Sequence, residues 1–415
     1  MRSALDHDGA RTRWPDVLTP PRPSWRTAVT RPLLNRVARR FGIVVTDADR
    51  ADSARHPEGT PVLVLVRPLD FLRRLGTGGL IGLGESYQAG DWTSPDLAAL
   101  LTRLAENTDV LVPPALQRLR RVVLPGTPDD TRNTLEGARR NIAHHYDLSN
   151  ELFRCFLDDS LTYSAALFSP GREPGWRDLA DAQRRKIDRL LDAVRVRPGS
   201  RVLEIGTGWG ELAIRAAQRG ATVETITLSR EQRELARRRV DERGLGDAVR
   251  VHLRDYRELE LRAEFDAVIS VEMIEAVGDR YWAEYFQRLN GLIRDGGRVG
   301  LQAITMRHDR MVATRNTHTW IQKYIFPGGL IPSVEAIDGL SAANGLRLAD
   351  RLDFGLDYAR TLRLWRDRFD QNAADVARLG FDEVFHRTWR FYLAYSEAGF
   401  RSRYLNVHQF VLRKD

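Results

Sequence analysis

The chain has 415 residues, 42% of them hydrophobic; this is too long for one average domain and ample for real cores, so two units are expected. A single cysteine, Cys155, excludes an internal disulfide and points to a reducing cytoplasm, the N-terminal MRSALDHDGARTRWPD lacks the apolar core of a signal peptide, and no apolar run approaches the roughly 20 residues that span a bilayer. A net charge of +8 favours anionic partners, either nucleic acid or an anionic membrane surface, although lysine is scarce and an arginine-rich composition by itself gives the same balance.

Residues 1–30, rich in Pro and Arg and without periodicity, are expected to form a poorly ordered leader. Residues 31–112 read as a small α+β unit. VARRFGIVVTD and PVLVLVRPLDFLRRL predict strands and short helices around the loop ADRADSARHPEGT, and a helix, PDLAALLTRLAEN, follows GLIGLGESYQAGDWTS. Basic residues cluster at Arg36-Val37-Ala38-Arg39-Arg40, Arg73-Arg74, Arg118-Leu119-Arg120-Arg121 and Arg139-Arg140. The proline-bearing stretch 113–130 is the expected linker, and 131–415 the second unit, opening on helical sequence that includes ARRNIAHHYDLSNELFRCFL. Cys155 lies in the apolar run LFRCFL and is expected in the core. His144 and His145 point in different directions on a helix, with no cluster of Cys or carboxylates beside them, so no metal site is expected.

From residue 201 the segments alternate in the doubly wound manner. RVLEIG is strand one and ATVETIT strand two. The helix SREQRELARRRVDER follows, with Ser229 as N-cap and Gln232 in the capping-box position. VRVHLRD, FDAVISV and GRVGLQAI are strands three to five. Helical sequence runs from WIQKYIF to about Asn344. LRLADRLDF and NVHQFVLRK are the sixth and seventh strands. Between these two lies an aromatic-rich helical insertion, Tyr358 to about Arg401, expected to cover a cofactor and shape a substrate pocket. The turn after strand one is Gly206-Thr207-Gly208-Trp209-Gly210. Glycine there lets the backbone approach a ligand and turns helix-start N–H groups towards it. The pattern departs from the dinucleotide fingerprint. GxGxG with Glu204 two positions before the first glycine resembles the S-adenosylmethionine (SAM) turn of class I methyltransferases; the plain alternative is an ordinary glycine turn in a parallel sheet.

HHYDLSNELFRCFLDDSLTYSAALF, the GTGWG turn, TLSREQ, VEMIEAVG, YIFPGGLIPS and YLAYSEAGFRS, in this order, resemble the cyclopropane-fatty-acid synthase family, and within it the actinobacterial tuberculostearic-acid branch; GLGESYQAGDW resembles the family's N-terminal unit. The resemblance implies an α/β fold, a Rossmann-like class I methyltransferase with a seven-stranded, mostly parallel sheet, and methyl transfer from SAM to the double bond of a phospholipid acyl chain. An isolated alkene is a poor nucleophile, so positioning is much of the task. The carbocation left on the chain needs a dry pocket with aromatic faces, and then a base. The outcome is a cyclopropane, or an exomethylene that a flavin-dependent reductase could turn into a methyl branch.

Carried over to this sequence, the resemblance assigns SAM to Tyr163, Ser164, Glu204, Gly206, Gly208, Gly210, Thr227, Leu228, Gln232, Asp255 and Tyr256. Core packing for Tyr163 and helix capping for Gln232 are the plain alternatives. A bicarbonate ion, the family's bound base, would sit at Glu275, Gln302, the backbone of Ile304 and Tyr358, with Glu275 orienting the ion; a helix-dipole role is the alternative for Glu275. Two positions depart from the common pattern: Ala165 stands where many relatives have cysteine, and Gln302 where many have histidine. Gln302 cannot titrate, and the two together favour the 10-methylene product over the cyclopropane. Glu272 is an extra acid that suits either the substrate cation or a helix cap. Tyr324 and Phe326 either line an acyl tunnel or pack in the core. The N-terminal unit is expected to present lipid or to contact a second subunit in a homodimer, on a cytoplasmic, peripherally membrane-associated enzyme. Two other readings stay open: a methyltransferase of a soluble metabolite, and a degenerate lipid- or SAM-binding subunit. No motif supports nucleic-acid binding.

Overall fold

The computed structural model describes residues 14–23, 25–51, 59–108 and 149–415. The first thirteen residues of the expected leader, the 113–130 linker, the basic clusters at 118–121 and 139–140, and His144-His145 lie outside the described residues. The chain divides into two compact units, one of Met1–Leu124, His318–Ile325 and Arg366–Ser402, the other of Pro125–Thr317, Phe326–Trp365 and Arg403–Asp415.

The first unit carries a three-stranded sheet. Strand β1 (Val44–Asp47) pairs parallel with β2 (Val62–Leu65), and β2 pairs antiparallel with β3 (Trp92–Thr93). Its helices are longer than the glycine-rich sequence suggests. Trp25–Phe41 runs for 17 residues and begins inside the stretch read as leader, while Pro68–Gln88 runs for 21 with a break at Gly79. The helix Glu383–Arg401 belongs here too, so the insertion expected to serve the second unit is divided at Trp365. Aromatic packing explains this. Phe391 lies 5.3 Å from Tyr87, 6.4 Å from Trp92 and 4.7 Å from Trp320, ring to ring. Gln88 joins the same cluster, accepting from Trp320 Nε1 at 2.8 Å and donating to Thr388 at 2.9 Å. Tyr324 donates to Glu85 at 2.8 Å within this unit.

The second unit is built on seven strands: β4 (Arg201–Ile205), β5 (Thr222–Thr227), β6 (Val249–Leu253), β7 (Phe265–Val271), β8 (Ile293–Met306), β9 (Leu346–Asp353) and β10 (Leu405–Lys414). Their order is β6-β5-β4-β7-β8-β10-β9, with β10 antiparallel to both neighbours and the other pairs parallel. Alternating side chains supply two cores. Val202, Val223 and Ile269 meet Ile187, Leu190 and Ala213 on one face; Leu203, Ile205 and Val268 meet Trp282, Phe286 and Ile337 on the other. The chain reverses direction of spread at β4 and β7, and in such sheets the crevice at that switch point, beyond the carboxyl ends of the strands, is where ligands bind. Cys155 is half-buried, not a core residue as expected, and its thiol donates to the Glu151 carbonyl at 3.3 Å.

A Cβ on Gly84 would fall 2.3 Å from the Trp320 indole. Gly84→Ala is therefore expected to destabilise the protein by about 1–3 kcal/mol, read as a lowered thermal midpoint; an unchanged midpoint would show that the indole has room to move.

Candidate active site

A cavity opens at the switch point, lined by residues that follow β4, β5, β6 and β7: Glu204 to Gly208, Ile226 to Leu228, Arg254 to Arg257 and Val271 to Met273. The glycine turn is its floor. Gly206 has φ 100°, and a Cβ there would meet Met273 at 2.8 Å; at Gly208, with φ 53°, the same position faces open space. Arg239 braces the turn from the helix Arg230–Asp241, donating to the Trp209 carbonyl at 2.7 Å and pairing with Glu211 at 2.9 Å.

All eleven residues assigned to SAM lie at or beside this cavity, and ten of them line it; Gly210 caps the helix Glu211–Gln218 just behind. Thr227 donates to Gln232 Oε1 at 2.8 Å, so the Gln232 side chain is turned to the cavity rim. Ser229 caps the helix as expected, accepting from the Gln232 N–H at 3.2 Å; Gln232 itself bonds Thr227 instead of closing a capping box. Asp255 is held by Arg257 at 2.7 and 2.9 Å, while Tyr256 packs edge-on against Tyr285 at 5.3 Å. Tyr163 lines the cavity, backed by Trp365 at 5.2 Å and Phe153 at 5.3 Å.

Three buried charges share the depth of the cavity. Glu204 accepts from Thr225 at 2.6 Å, and burial pushes its carboxyl up to about 8. Lys186 donates to Ser164 at 2.6 Å, and burial lowers it to about 8, against the pull of Glu272, Asp158 and Glu204. Glu272 is raised by burial, opposed by the Ala165 N–H, Lys186, Tyr358 and Gln302. Lys186 was not singled out by the sequence, yet it sits four residues before Leu190 and four after Ala182, on the core side of an amphipathic helix.

The positions assigned to bicarbonate fall into two groups. Glu272 accepts from the Ala165 N–H at 2.9 Å, from Gln302 Nε2 at 2.8 Å and from the Tyr358 hydroxyl at 2.7 Å. The Gln302 amide is oriented from behind: Arg189 donates to Gln409 Oε1 at 2.9 Å, so Gln409 Nε2 faces Gln302 Oε1 at 3.0 Å, and Gln302 Nε2 must face Glu272. Glu275 accepts from the Ile304 N–H, and its second oxygen is buried with no hydrogen bond. Burial, and then the Glu272 charge, push Glu275 up to about 8. Every donor named for an added anion is thus taken by a carboxylate of the chain itself, and the residues present do not fit bicarbonate there. SAM, by contrast, fits its cavity: the open side of Gly208 leaves space for a ligand, and buried acids suit a sulfonium cation.

Sheet order, glycine turn and acid-lined cavity together define a class I SAM-dependent methyltransferase. Residues 133–410 match the profile of the mycolic acid cyclopropane synthetase family, and the chain belongs to that family. It is 51% identical over 423 aligned residues to the tuberculostearic acid methyltransferase UfaA1 of Mycobacterium tuberculosis, covering 100% of this chain and 97% of that one. It is 30% identical over 390 residues to the cyclopropane-fatty-acyl-phospholipid synthase of Escherichia coli, covering 92% and 93%. Among solved structures it is similar to the mycolic acid cyclopropane synthase CmaA1 complexed with SAH and CTAB, with TM-score 0.61 and 29% identity over 66% of this chain and 98% of that one.

Glu275 yields a pH prediction. Its folded carboxyl holds a proton up to about 8 against 4.5 when unfolded, so the folded state binds more protons between these values and stability falls as pH rises through them. Glu275→Gln removes that penalty: the gap between variant and wild-type melting temperatures should widen in the variant's favour as pH rises across this window. Parallel melting curves would refute a buried, raised Glu275.

Proposed function

We propose that this enzyme transfers the methyl group of SAM to the double bond of an oleoyl-type chain of a membrane phospholipid, giving a 10-methylene chain, the precursor of a 10-methyl chain. The observation that carries this reading is the full-length similarity to a tuberculostearic acid methyltransferase, which includes the N-terminal unit as well as the methyltransferase unit. SAM, when bound, supplies an electrophilic methyl on a positive sulfur. The chain's own part is to hold the alkene against that methyl, keep water out and manage the charge that follows.

The alkene π pair would form the new C–C bond to the methyl that SAM supplies, with the sulfur as leaving group, and the neighbouring alkene carbon would be left cationic. A hydride shift from the methyl-bearing carbon moves the charge onto that carbon; loss of a proton from the added methyl then gives the exomethylene. Loss of the same proton without the shift closes a cyclopropane. The Tyr163 face, stiffened by Trp365 and Phe153, supplies the electron-rich wall that such a cation needs. The exomethylene has no charge and no leaving group, so reduction by a flavin-dependent partner is the step that completes the branch.

The first unit supports work at the cytoplasmic face of a membrane. Among the described residues no helix is long and apolar enough to cross a bilayer. Trp25, Val29 and Leu33 instead stand on one face of the helix Trp25–Phe41, 74%, 45% and 57% exposed, with Arg22, Arg26, Arg36 and Arg40 exposed nearby. Apolar side chains flanked by arginines match an anionic lipid surface. A homodimer built on this unit belongs to the same proposal.

Expression in a host making oleoyl phospholipids, with and without a flavin-dependent reductase, tests the product by mass spectrometry of the acyl chains. A 10-methylene chain is expected alone and a 10-methyl chain with the reductase; a cyclopropane would overturn the product, and no new lipid the substrate. The double variant Trp25→Ala, Leu33→Ala should lose about tenfold or more in partition to anionic vesicles, measured by co-sedimentation; unchanged partition would rule this helix out as the docking face.

A further inference from the structure

We propose that Glu272 is the proton acceptor of the reaction, a base carried by the chain in the place of a bound anion. The inference rests on the methyl-transfer reading above and names the group that ends the cation. Glu272 leaves β7 directly into the cavity, between Val271 and Met273, and Met273 packs against the glycine turn at Gly206. Its carboxylate therefore belongs to the same cavity as the glycine turn and the Tyr163 ring.

Three independent features fix it there as an oriented acceptor, against the burial that raises its carboxyl. The Ala165 N–H and Gln302 Nε2 both donate to Oε1, and the Tyr358 hydroxyl donates to Oε2, which favours the ionised carboxylate. The Arg189–Gln409–Gln302 chain prevents Gln302 from turning its carbonyl to the acid, so the support cannot reverse. The backbone of Glu272 sits at φ 53°, a left-handed conformation that a glutamate adopts only where the surroundings enforce it. Such enforced geometry is common at reacting groups, whereas a helix cap needs none of it.

Glu275 is excluded from the same role. One of its oxygens is tied to the Ile304 N–H, the other is buried with no hydrogen bond, and it does not line the cavity. A bicarbonate ion is excluded by the same arithmetic of donors: Ala165, Gln302 and Tyr358 already serve Glu272, and a second anion would lie beside two carboxyl groups without a donor of its own.

The step balances without a co-reactant. A Glu272 oxygen takes the proton from the added methyl; the C–H pair becomes the second bond of the exomethylene, and the cation is discharged. Glu272 is left as a carboxylic acid, which returns its proton to water when the products leave the cavity.

The test uses the full-length enzyme, SAM and oleoyl phospholipid vesicles. Wild-type turnover should be the same in carbonate-free buffer and with added bicarbonate. At saturating SAM, with binding confirmed by calorimetry, Glu272→Gln should lower kcat by about 10²–10⁴-fold. Glu272→Gly suits the left-handed backbone and opens a carboxylate-sized space before the same three donors, so added bicarbonate, formate or acetate should restore part of its rate. Bicarbonate dependence of the wild type, or full turnover by Glu272→Gln, would overturn the proposal. Should Glu272→Gln fail to fold, absence of anion rescue in a folded Glu272→Gly would overturn it equally. A wild-type enzyme that binds SAM but methylates no lipid overturns the substrate reading first, and this role with it.

Discussion

A carboxylate deep in a methyltransferase cavity must be solvated by the protein, and the support of Glu272 is the constraint on which the rest of the second unit converges. Its three donors come from the segment before Ala166, from β8 and from the helix Gly355–Gln371. Each donor is itself held in place. The helix Leu179–Ala193 grips the first segment, with Gln183 donating to the Ser164 carbonyl at 2.8 Å and Lys186 to its hydroxyl. Thr361 and Asp357 accept from the Ala166 and Phe168 N–H groups at 3.2 and 3.0 Å, tying that segment to the helix that carries Tyr358. Removing one support would leave a buried charge short of a partner, which is costlier than losing an ordinary hydrogen bond.

The same low-dielectric setting acts on all the cavity's acids. Burial raises Glu204, Glu275 and Glu272 alike, but only Glu272 has three donors and the nearby Lys186 charge opposing that rise. Pairs of acids whose environments separate them in this way can serve different purposes from the same chemistry. Lys186, one of three lysines in the chain, balances the two inner acids. A bound sulfonium adds a positive charge to this group, so cofactor and carboxylates stabilise one another.

Much of this was legible in the sequence. The seven predicted strands of the second unit stand within a few residues of their observed limits; the parallel buried ones declare themselves as short apolar runs, whereas β9 is antiparallel and mostly exposed. The first unit was read less well. Glycines at 76, 78, 79, 82 and 84 argue for loop, yet they lie within the helix Pro68–Gln88, since the close approach of Trp320 to Gly84 needs a residue without a side chain. The helix Trp25–Phe41 was hidden for another reason: Trp25, Val29 and Leu33 are exposed beside its arginines, few of its residues are buried, and Pro32 lies inside it, so no apolar core-facing stripe marks it. The insertion after Tyr358 was rightly read as helical, but its division between units depends on aromatic contacts and hydrogen bonds with residues some 300 positions away.

The sequence by itself determined the sheet, the SAM turn and the family, since each rests on local pattern: alternation, glycine spacing, short motifs in order. Which acid serves the cavity was decided only by tertiary structure. Glu272 and Glu275 are three residues apart and indistinguishable as side chains. They part company because the backbone turns left-handed at Glu272, and because the donors that select it come from positions 107, 30 and 86 residues distant. No local pattern records those meetings; they exist only once the sheet has closed around the cavity.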